Sequence, residues 1–307
     1  MIKGRLVPFV TKIYKLQTQM RASHFLTREL SFSQKQMQSF IARSRLFHKG
    51  EAVQKPSQLI DGEVEFVTFE PISMGLEPIF EDDEFVVYDK PSGVLVHPQN
   101  RYTPYSLIDE LRSAYGDEAN ITHRLDQETS GLVLCAKNRK SEIAIKQMFE
   151  HREIEKRYLA LVHGELKEPL SIDAPLLRYD DERSALVRMV VKVDSSGKSS
   201  LTHIKPLKML GDKTLVECSP VTGRQHQIRV HLFHVKHTIV GEPVYGQDES
   251  DLVRYLEREL SRDERVDLSG ARRLLLHANE LKFELNGKSY HIKSPLDFEA
   301  EALKNML

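Results

Sequence analysis

The residues best suited to chemistry lie in the segment ITHRLDQETSGLVL, which spans residues 121–134. His123, Arg124 and Asp126 precede a turn of polar residue types and then a continuous apolar run typical of a buried strand. Asp126 is therefore expected in a loop at the mouth of a rigid sheet, where its carboxylate can attack a carbon or stabilise positive charge. It can equally cap the turn by accepting backbone N–H bonds. The segment alone does not choose between these two roles.

Four histidines form a second candidate cluster. His231, His234 and His237 recur every three residues after His226, a spacing that on a helix can gather imidazoles around a metal ion. The segment has no HExxH pattern and no acid to join them. It carries three cations, at Arg224, Arg229 and Lys236. Because these charges oppose a metal ion, phosphate contacts or domain packing are favoured for the histidines, and no metal site is predicted.

Composition and missing motifs narrow the class of protein. The chain has 307 residues, of which 40% are hydrophobic and 29% charged, as in ordinary globular proteins. No GxxxxGK[ST] loop, GxGxxG turn or GxSxG elbow is present, so we predict no nucleotide or other cofactor. Its two cysteines, Cys135 and Cys218, argue against a disulfide framework. No apolar run approaches the ~18 residues that cross a membrane. These features predict a cytoplasmic protein of bacterial type.

Charge is unevenly distributed along the chain. The net charge of -1 does not indicate a nucleic-acid partner. It does not exclude one either, because phosphate binding needs only a local basic face. Residues 1–28 contain six lysines and arginines and no acid. Such a start is compatible with an organelle transit peptide. The transit peptide is disfavoured, because the stretch runs without a break into a domain with regular helix and strand patterns.

The larger part of the chain has the pattern of an α+β domain. Apolar runs predict strands over Phe85–Tyr88, Val94–Val96, Arg157–Val162, Leu201–Met209 and Thr214–Ser219. Residues 141–150 and the segment 222–237 carry helical patterns, and Gly211-Asp212 indicates a hairpin. Strands interleaved irregularly with helices predict a mixed, largely antiparallel sheet with flanking helices.

The first 70 residues have a different organisation. A helical pattern over 33–46 is followed by the turn Lys49-Gly50 and by the alternating run LIDGEVEFVTF. This arrangement resembles the S4 RNA-binding fold, although a small α/β module of another purpose fits the same pattern. We therefore predict four parts, namely an N-terminal extension (1–20), an S4-like domain (21–70), a linker (71–79) and a catalytic domain (80–307).

The segment HRLDQETSGLVLCAKN closely resembles the signature of the RluA family of RNA pseudouridine synthases, in which the Arg-Leu-Asp tripeptide holds the catalytic aspartate. Further blocks follow the order of that family, namely DKPSGVLVHP (89–98), EKRYLALVHG (155–164), TGRQHQIRVHL (222–232) and LLLHANELKF (274–283). The resemblance covers roughly residues 76–300. The signature and the first three of these blocks, four motifs in order, make the resemblance specific, and LLLHANELKF also looks like the family's closing block.

The resemblance implies a set of site residues. Asp126 would be the catalytic carboxylate, Arg229 its basic partner, and Tyr158 the aromatic residue that lies against the target base. Arg124 would fill the stack left by a flipped uridine, since a planar guanidinium can both stack and bond phosphate. Weaker candidates for RNA contact are His123, Lys156, Arg224, Gln225 and His226. His123 can equally support the loop, and Lys90, in the KPSG turn, can be structural as readily as functional.

The expected partner is structured ribosomal or transfer RNA, bound by a monomer that needs no nucleotide cofactor and no membrane. Pseudouridylation breaks the N1–C1′ bond of a uridine and rejoins the base through C5, without net redox change. Two other classes share some of these features. A non-catalytic RNA-binding protein could keep the fold, and a hydrolytic nucleoside glycosidase also uses carboxylates at C1′.

Overall fold

The computed structural model describes residues 7–178 and 190–306. Its described residues fall into two compact units. The first unit consists of the chain up to Met74 together with Pro98–Ser113. The second consists of Gly75–His97 and the chain from Ala114 onward. No helix among the described residues is long and apolar enough to cross a membrane.

The first unit is built on a four-stranded antiparallel sheet in the order β1-β4-β2-β3. Its strands are β1 (Phe9–Arg21), β2 (Leu46–His48), β3 (Glu51–Ala52) and β4 (Leu59–Phe69). Its helical elements are α1 (Ala22–His24), a π-helical turn (Phe25–Glu29) and α2 (Gln34–Ala42). Helix α2 begins with a capping box, in which Ser33 and Gln36 bond each other's backbone N–H groups and satisfy two free donors.

Strand β1 occupies most of the segment that was predicted as an N-terminal extension, whose residues 1–6 lie outside the described residues. It pairs with β4 from Phe9↔Phe69 to Arg21↔Leu59, so this stretch belongs to the small sheet. The pattern was hard to read because β1 is an edge strand with polar residues on both faces. Even its apolar Ile13 is 61% exposed.

The second unit contains a ten-stranded sheet in the order β10-β13-β14-β9-β15-β8-β6-β5, with β16 beside β15 and β7 beside β8. Its strands are β5 (Phe80–Glu81), β6 (Phe85–Lys90), β7 (Asn120–Ile121), β8 (Ser130–Ala136), β9 (Glu155–His163), β10 (Leu170–Asp173), β13 (Leu201–Leu210), β14 (Lys213–Pro220), β15 (Leu276–Leu285) and β16 (Lys288–Lys293). A separate two-stranded sheet pairs β11 (Leu176–Arg178) with β12 (Val191–Val193). Among the described strand pairs, β8 and β15 alone run parallel. The predicted α+β domain with a mixed, largely antiparallel sheet is confirmed.

Helices flank this sheet. They are α4 (Arg139–His151), α5 (Gln227–His234), α6 (Glu249–Leu256), α7 (Arg262–Ser269) and α8 (Phe298–Met306), while α3 (Leu107–Tyr115) spans the boundary of the two units in sequence. The predicted hairpin at Gly211-Asp212 joins β13 to β14. Val94–Val96, predicted as a strand, follows the turn at Ser92-Gly93 and contains one bridge residue, Leu95, in place of a strand.

Gly131 fixes where the loop carrying Asp126 enters the sheet. It lies opposite Ala278 in the parallel pair of β8 and β15, with φ at +113°. A Cβ at this position would lie 2.3 Å from the Ala278 carbonyl oxygen. Only glycine allows the two backbones to approach this closely. All seven residues of β8 are buried, so the loop is anchored on a rigid strand.

Candidate active site

A cavity of about 510 Å³ opens in the second unit. Eight of the nine site residues predicted from sequence line it, namely His123, Arg124, Asp126, Lys156, Tyr158, Arg224, His226 and Arg229. Gln225 is exposed on the loop before α5 and does not line the cavity. Residues from three distant parts of the sequence are therefore gathered around one space.

The centre of the cavity is an ion pair between Asp126 and Arg229. Arg229 Nη1 donates to Asp126 Oδ2 over 3.1 Å, although 103 positions separate the two residues in sequence. The arginine side chain is 4% exposed and that of the aspartate 26%. Burial by itself raises the pKa of Asp126, but His226 and Arg229 outweigh it and hold the pKa below its ordinary value. Asp126 is therefore an ionised, oriented carboxylate at neutral pH.

Arg229 is held from behind by Glu242, a residue that the sequence did not single out. Arg229 Nε and Nη2 donate to the two carboxylate oxygens of Glu242 at 2.8 and 2.7 Å. The backbone N–H groups of Val244 and Tyr245 also donate to Glu242 Oε1, at 2.9 and 3.3 Å. Burial lowers the pKa of Arg229, but the charge of Glu242 more than compensates and raises it well above its ordinary value. In sequence, GEPVYG signals a turn and nothing more.

His226 lies on the other side of the Asp126 carboxylate. Its backbone is in the left-handed region (φ 54°) immediately before α5, which turns the imidazole toward the cavity. Nδ1 is 2.7 Å from the Tyr245 hydroxyl, and Nε2 is 3.8 Å from Asp126 Oδ1. Burial, then the charge of Arg229, lowers the pKa of His226 to about 4. The imidazole is therefore neutral at pH 7.

Tyr158 comes from β9, where it lies between Cys218 of β14 and Ala278 of β15. Its half-buried side chain lines the cavity. Burial, and then the negative charge of Asp126, raises the pKa of the Tyr158 hydroxyl. The hydroxyl therefore stays protonated and can donate a hydrogen bond.

Cations surround the opening of the cavity. Arg124, Arg152 and Arg224 are exposed, and Lys156 is half-buried with its pKa lowered by burial and by Arg152. Within the described residues, Arg124 makes no hydrogen bond or ion pair, whereas Arg224 Nε donates weakly to the Ser199 carbonyl at 3.4 Å. Arg152, in the left-handed C-cap of α4, was not predicted from sequence. Such a rim suits the phosphates of a nucleic acid.

His123 mainly supports the loop that carries Asp126, although it also lines the cavity. Its Nε2 accepts a hydrogen bond from the Leu134 N–H at 2.9 Å, and its ring packs 4.5 Å from the ring of Phe149. Burial, and then the charge of Lys156, lowers the pKa of His123 to about 3. A neutral imidazole whose acceptor nitrogen is bonded to the sheet fits the supporting role that the sequence left open.

Lys90 ties the KPSG turn to the loop that carries Asp126. Its fully buried ammonium donates to the carbonyl oxygens of Pro91, Val94 and Gln127 at 2.9, 2.8 and 3.2 Å. The Gly93 N–H adds a second bond to the Gln127 carbonyl at 2.8 Å. The geometry therefore gives Lys90 a structural role, which the sequence had left undecided.

Helix α7 also contacts the loop that carries Asp126. Arg265 Nη2 donates to Glu128 Oε2 over 2.9 Å, and both side chains are largely buried. The guanidinium of Arg265 packs 5.4 Å from the ring of Tyr255 on α6. The segment 248–270 matches no recognised motif in the sequence. The ion pair between Arg265 and Glu128 connects this segment to the loop, two positions after Asp126.

Comparison with known proteins identifies the class to which this fold and site belong. A sequence model of the RNA pseudouridylate synthase family matches residues 84–234. A protein of Helicobacter pylori named as an uncharacterized RNA pseudouridine synthase is 37% identical over 94% of this chain and 95% of its own length. Ribosomal large subunit pseudouridine synthase C of Escherichia coli is 37% identical over 75% of this chain and 68% of its own length.

Solved structures agree with this class. Human RNA pseudouridylate synthase domain containing 1 superimposes with a TM-score of 0.57 and 26% identity, over 74% of this chain and 86% of the human chain. The fold and site thus define an RNA-modifying isomerase. The chain belongs to the RNA pseudouridine synthase family, as its resemblance to the RluA signature predicted.

Proposed function

We propose that this pseudouridine synthase modifies specific uridines in folded ribosomal or transfer RNA, with Asp126 as its catalytic carboxylate. The observation that carries the proposal is the 3.1 Å contact between Arg229 and an ionised Asp126 inside a cavity with a cationic rim. The Escherichia coli relative is named for the ribosomal large subunit, which favours ribosomal RNA as the substrate.

Asp126 acts on the ribose or the base while the N1–C1′ bond breaks and the base turns. A carboxylate in this position attacks a carbon or stabilises the positive charge that develops at C1′. Arg229 keeps the carboxylate ionised and fixes its orientation. In the balanced reaction C5 loses a proton, N1 gains one, and a C5–C1′ bond replaces the N1–C1′ bond, so no electron acceptor is needed.

Tyr158 and Arg124 receive the target nucleotide. The cavity volume of about 510 Å³ is of the size that accommodates small molecules, which supports entry of a single flipped nucleoside. The Tyr158 ring provides a face for the uracil, and its protonated hydroxyl provides a donor. Arg124 is exposed and without an ion pair among the described residues, so its guanidinium is available to occupy the vacated position in the RNA stack.

The first unit contributes RNA binding in the manner of an S4 domain. Its small sheet and short helices support this role, as do its exposed cations: Lys35 on α2, Arg43 at the end of that helix and Lys49 in the turn between β2 and β3. The protein acts as a monomer in the bacterial cytoplasm, where its RNA substrate is made.

Tritium release tests the proposal. Bulk RNA labelled with tritium at C5 of uracil, from cells lacking this protein, should release tritium to water with the native protein. Asp126→Asn should abolish release, while Asp212→Asn, which removes an exposed acid from the β13–β14 hairpin, should leave it unchanged. An unchanged rate for Asp126→Asn would overturn the assignment of Asp126. Release of free uracil would indicate hydrolysis in place of isomerisation.

A further inference from the structure

Tyr102 is the one exposed residue among the phenylalanines and tyrosines that the structure describes. It is 71% exposed, whereas the others are buried or half-buried. The residue lies in the segment Pro98–Ser113, which belongs to the first unit although the preceding residues 75–97 belong to the second. A single exposed apolar side chain is ordinary on a protein surface, so its neighbours decide whether it belongs to a site.

The guanidinium of Arg101 contacts two aromatic rings of the first unit. Its carbon lies 4.9 Å from the centre of the Tyr102 ring and 5.5 Å from that of the Phe47 ring on β2. Nη2 also donates a hydrogen bond to the Tyr102 hydroxyl over 2.7 Å. The arginine therefore covers one side of the Tyr102 ring, and the exposure of the tyrosine shows that the other side faces water.

Hydrogen bonds within the loop hold Tyr102 in place. Asn100 Oδ1 accepts a hydrogen bond from the Tyr102 N–H at 2.8 Å. The hydroxyl of Thr103, a buried residue, accepts from the N–H groups of Gln99 and Asn100 at 3.1 and 3.3 Å. Because the backbone is already fixed, a ligand that stacks on the ring has less conformational entropy to overcome.

Arg101 adds a charge that is available to a ligand. It is exposed, and within the residues that the structure describes its guanidinium forms no ion pair with a carboxylate. Lys49, in the turn after β2, is by contrast paired with Asp61 at 3.0 Å. A planar guanidinium can contact an aromatic face and still donate to a phosphate. Tyr102 and Arg101 thus combine a ring face for a base with donors for the phosphate next to it.

Unpaired RNA matches these two residues better than a duplex or a protein does. The bases of an A-form helix are stacked on one another and offer no free face to a tyrosine. Tyrosines that anchor protein partners lie in well-packed pockets near the centre of an interface. The exposed residues directly before Tyr102 are instead polar, namely Gln99, Asn100 and Arg101.

We propose that Tyr102 and Arg101 form a second RNA-binding site, at which Tyr102 stacks on an unpaired base of the substrate and Arg101 binds the adjacent phosphate. This inference rests on the proposed function, because its ligand is the RNA that the enzyme modifies. Every base has a π face, so the site holds a single-stranded loop or end without selecting its sequence.

Fluorescence tests the stacking contact in the full chain. The sequence contains no tryptophan, so Tyr102→Trp introduces a unique fluorophore. Its emission should be quenched by hexaadenylate, a single-stranded RNA, because the indole stacks on a base. A blunt-ended RNA duplex should bind without quenching it. Leu303→Trp, at an exposed position of α8, should be quenched by neither RNA. Unchanged emission of Tyr102→Trp with hexaadenylate, or equal quenching by the duplex, overturns the inference.

A substitution series separates stacking from apolar contact. Affinity for labelled hexaadenylate is measured in Arg124→Ala protein, which reduces binding at the cavity. Tyr102→Ala and Tyr102→Leu should each weaken binding about tenfold, since neither provides a π face, and Tyr102→Phe should bind as Tyr102 does. Full affinity for Tyr102→Leu would indicate an apolar contact and overturn the inference, as would full affinity for Tyr102→Ala.

Salt dependence tests the phosphate contact of Arg101. In the same assay, Arg101→Gln should reduce the slope of log affinity against log salt by about 0.7, the value for one phosphate of a single strand. Lys304→Gln, at an exposed position of α8, should leave the slope unchanged. An unchanged slope for Arg101→Gln, or an equal change for Lys304→Gln, overturns the inference.

These measurements require no turnover and are therefore independent of the role of Asp126. Urea unfolding confirms that each variant is folded under the conditions of the assay. If Asp126→Asn still releases tritium, the proposed function fails, whatever the fluorescence of Tyr102→Trp shows. If Asp126→Asn is inactive and Tyr102→Trp is not quenched, only the second RNA-binding site is removed.

Discussion

The ammonium of Lys90 donates a hydrogen bond to the carbonyl oxygen of Gln127, the residue directly after Asp126, over 3.2 Å. Lys90 is fully buried and also donates to two carbonyls of its own turn. It therefore restrains the backbone next to Asp126. The orientation of the Asp126 carboxylate thus depends on Arg229, which contacts the carboxylate, and on Lys90, which contacts the backbone next to it.

We expect the stability contributed by Lys90 to depend on pH. Burial lowers the pKa of Lys90 from 10.5 to about 7. Between these values the unfolded chain binds a proton that the folded chain has lost, so the free energy of unfolding rises with pH by up to ~1.4 kcal/mol per pH unit. This contribution is lost as the pH falls through about 7.

Urea unfolding at pH 7.5 and pH 9.5 measures this effect. Native protein should gain stability relative to Lys90→Met over that interval, and Lys167→Met, at an exposed position, should follow the native profile. Parallel profiles for native protein and Lys90→Met would contradict the prediction. Lys90→Met should also release tritium more slowly, because it removes the donor that joins the carbonyls of Pro91 and Val94 to that of Gln127.

Gly131→Ala should destabilise the protein by about 3–5 kcal/mol, because the new methyl group would collide with the Ala278 backbone at 2.3 Å. Gly211→Ala is a matched control. Gly211 also has positive φ but has open space around it, so its substitution costs only backbone strain of about 1–2 kcal/mol. Chemical denaturation of both variants gives the comparison. Equal losses would show that strain, and not the close approach of β8 to β15, dominates at Gly131.

Arg124→Ala should slow tritium release from folded RNA at least about tenfold, since flipping a stacked base costs a few kcal/mol. Its effect on the free energy of unfolding should stay within about 0.5 kcal/mol, as for other exposed positions. The same RNA, fragmented into short unstructured pieces, should show a much smaller rate defect. Arg124→Lys keeps the charge but not the planar group, and a full rate for it would argue against stacking.

Arg265→Met should slow turnover and lower stability by about 1–3 kcal/mol, because it leaves the largely buried Glu128 without its cation. RNA affinity should be unchanged, since Arg265 does not line the cavity. Arg272→Met, at an exposed position, serves as the control. Weaker RNA binding with normal stability would instead indicate that α7 contacts RNA directly.

Lys35→Gln combined with Arg43→Gln should weaken RNA binding and leave the single-turnover rate at saturating protein unchanged. If both side chains contact phosphates, the slope of log affinity against log salt should fall by about 0.7–0.9 per contact. Lys12→Gln is a control with a smaller expected effect, because Lys12 is already paired with Glu70 at 2.7 Å. Unchanged affinity and slope would remove the case for RNA binding by the α2 face.

Local signals in the sequence predicted most of the frame. The turn residues after Asp126 and the apolar run that follows them placed it at the start of a buried strand, as β8 confirms. The hairpin at Gly211-Asp212 and the helix that carries Arg229 were predicted in the same way. The edge strand β1 was missed because its one partly buried face, with Tyr14, Leu16 and Met20, is interrupted by exposed polar residues.

By itself the sequence determined most of the order of turns, strands and helices, and matching motifs singled out Asp126, Tyr158 and Arg229, because these signals reside in neighbouring residues. Only the tertiary structure decided that Glu242 lies behind Arg229, that Lys90 holds the Gln127 carbonyl, and that Arg265 reaches Glu128. A glutamate or lysine in a turn looks like a surface residue in sequence. Packing of distant segments removes it from water, and burial then requires a specific partner for its charge.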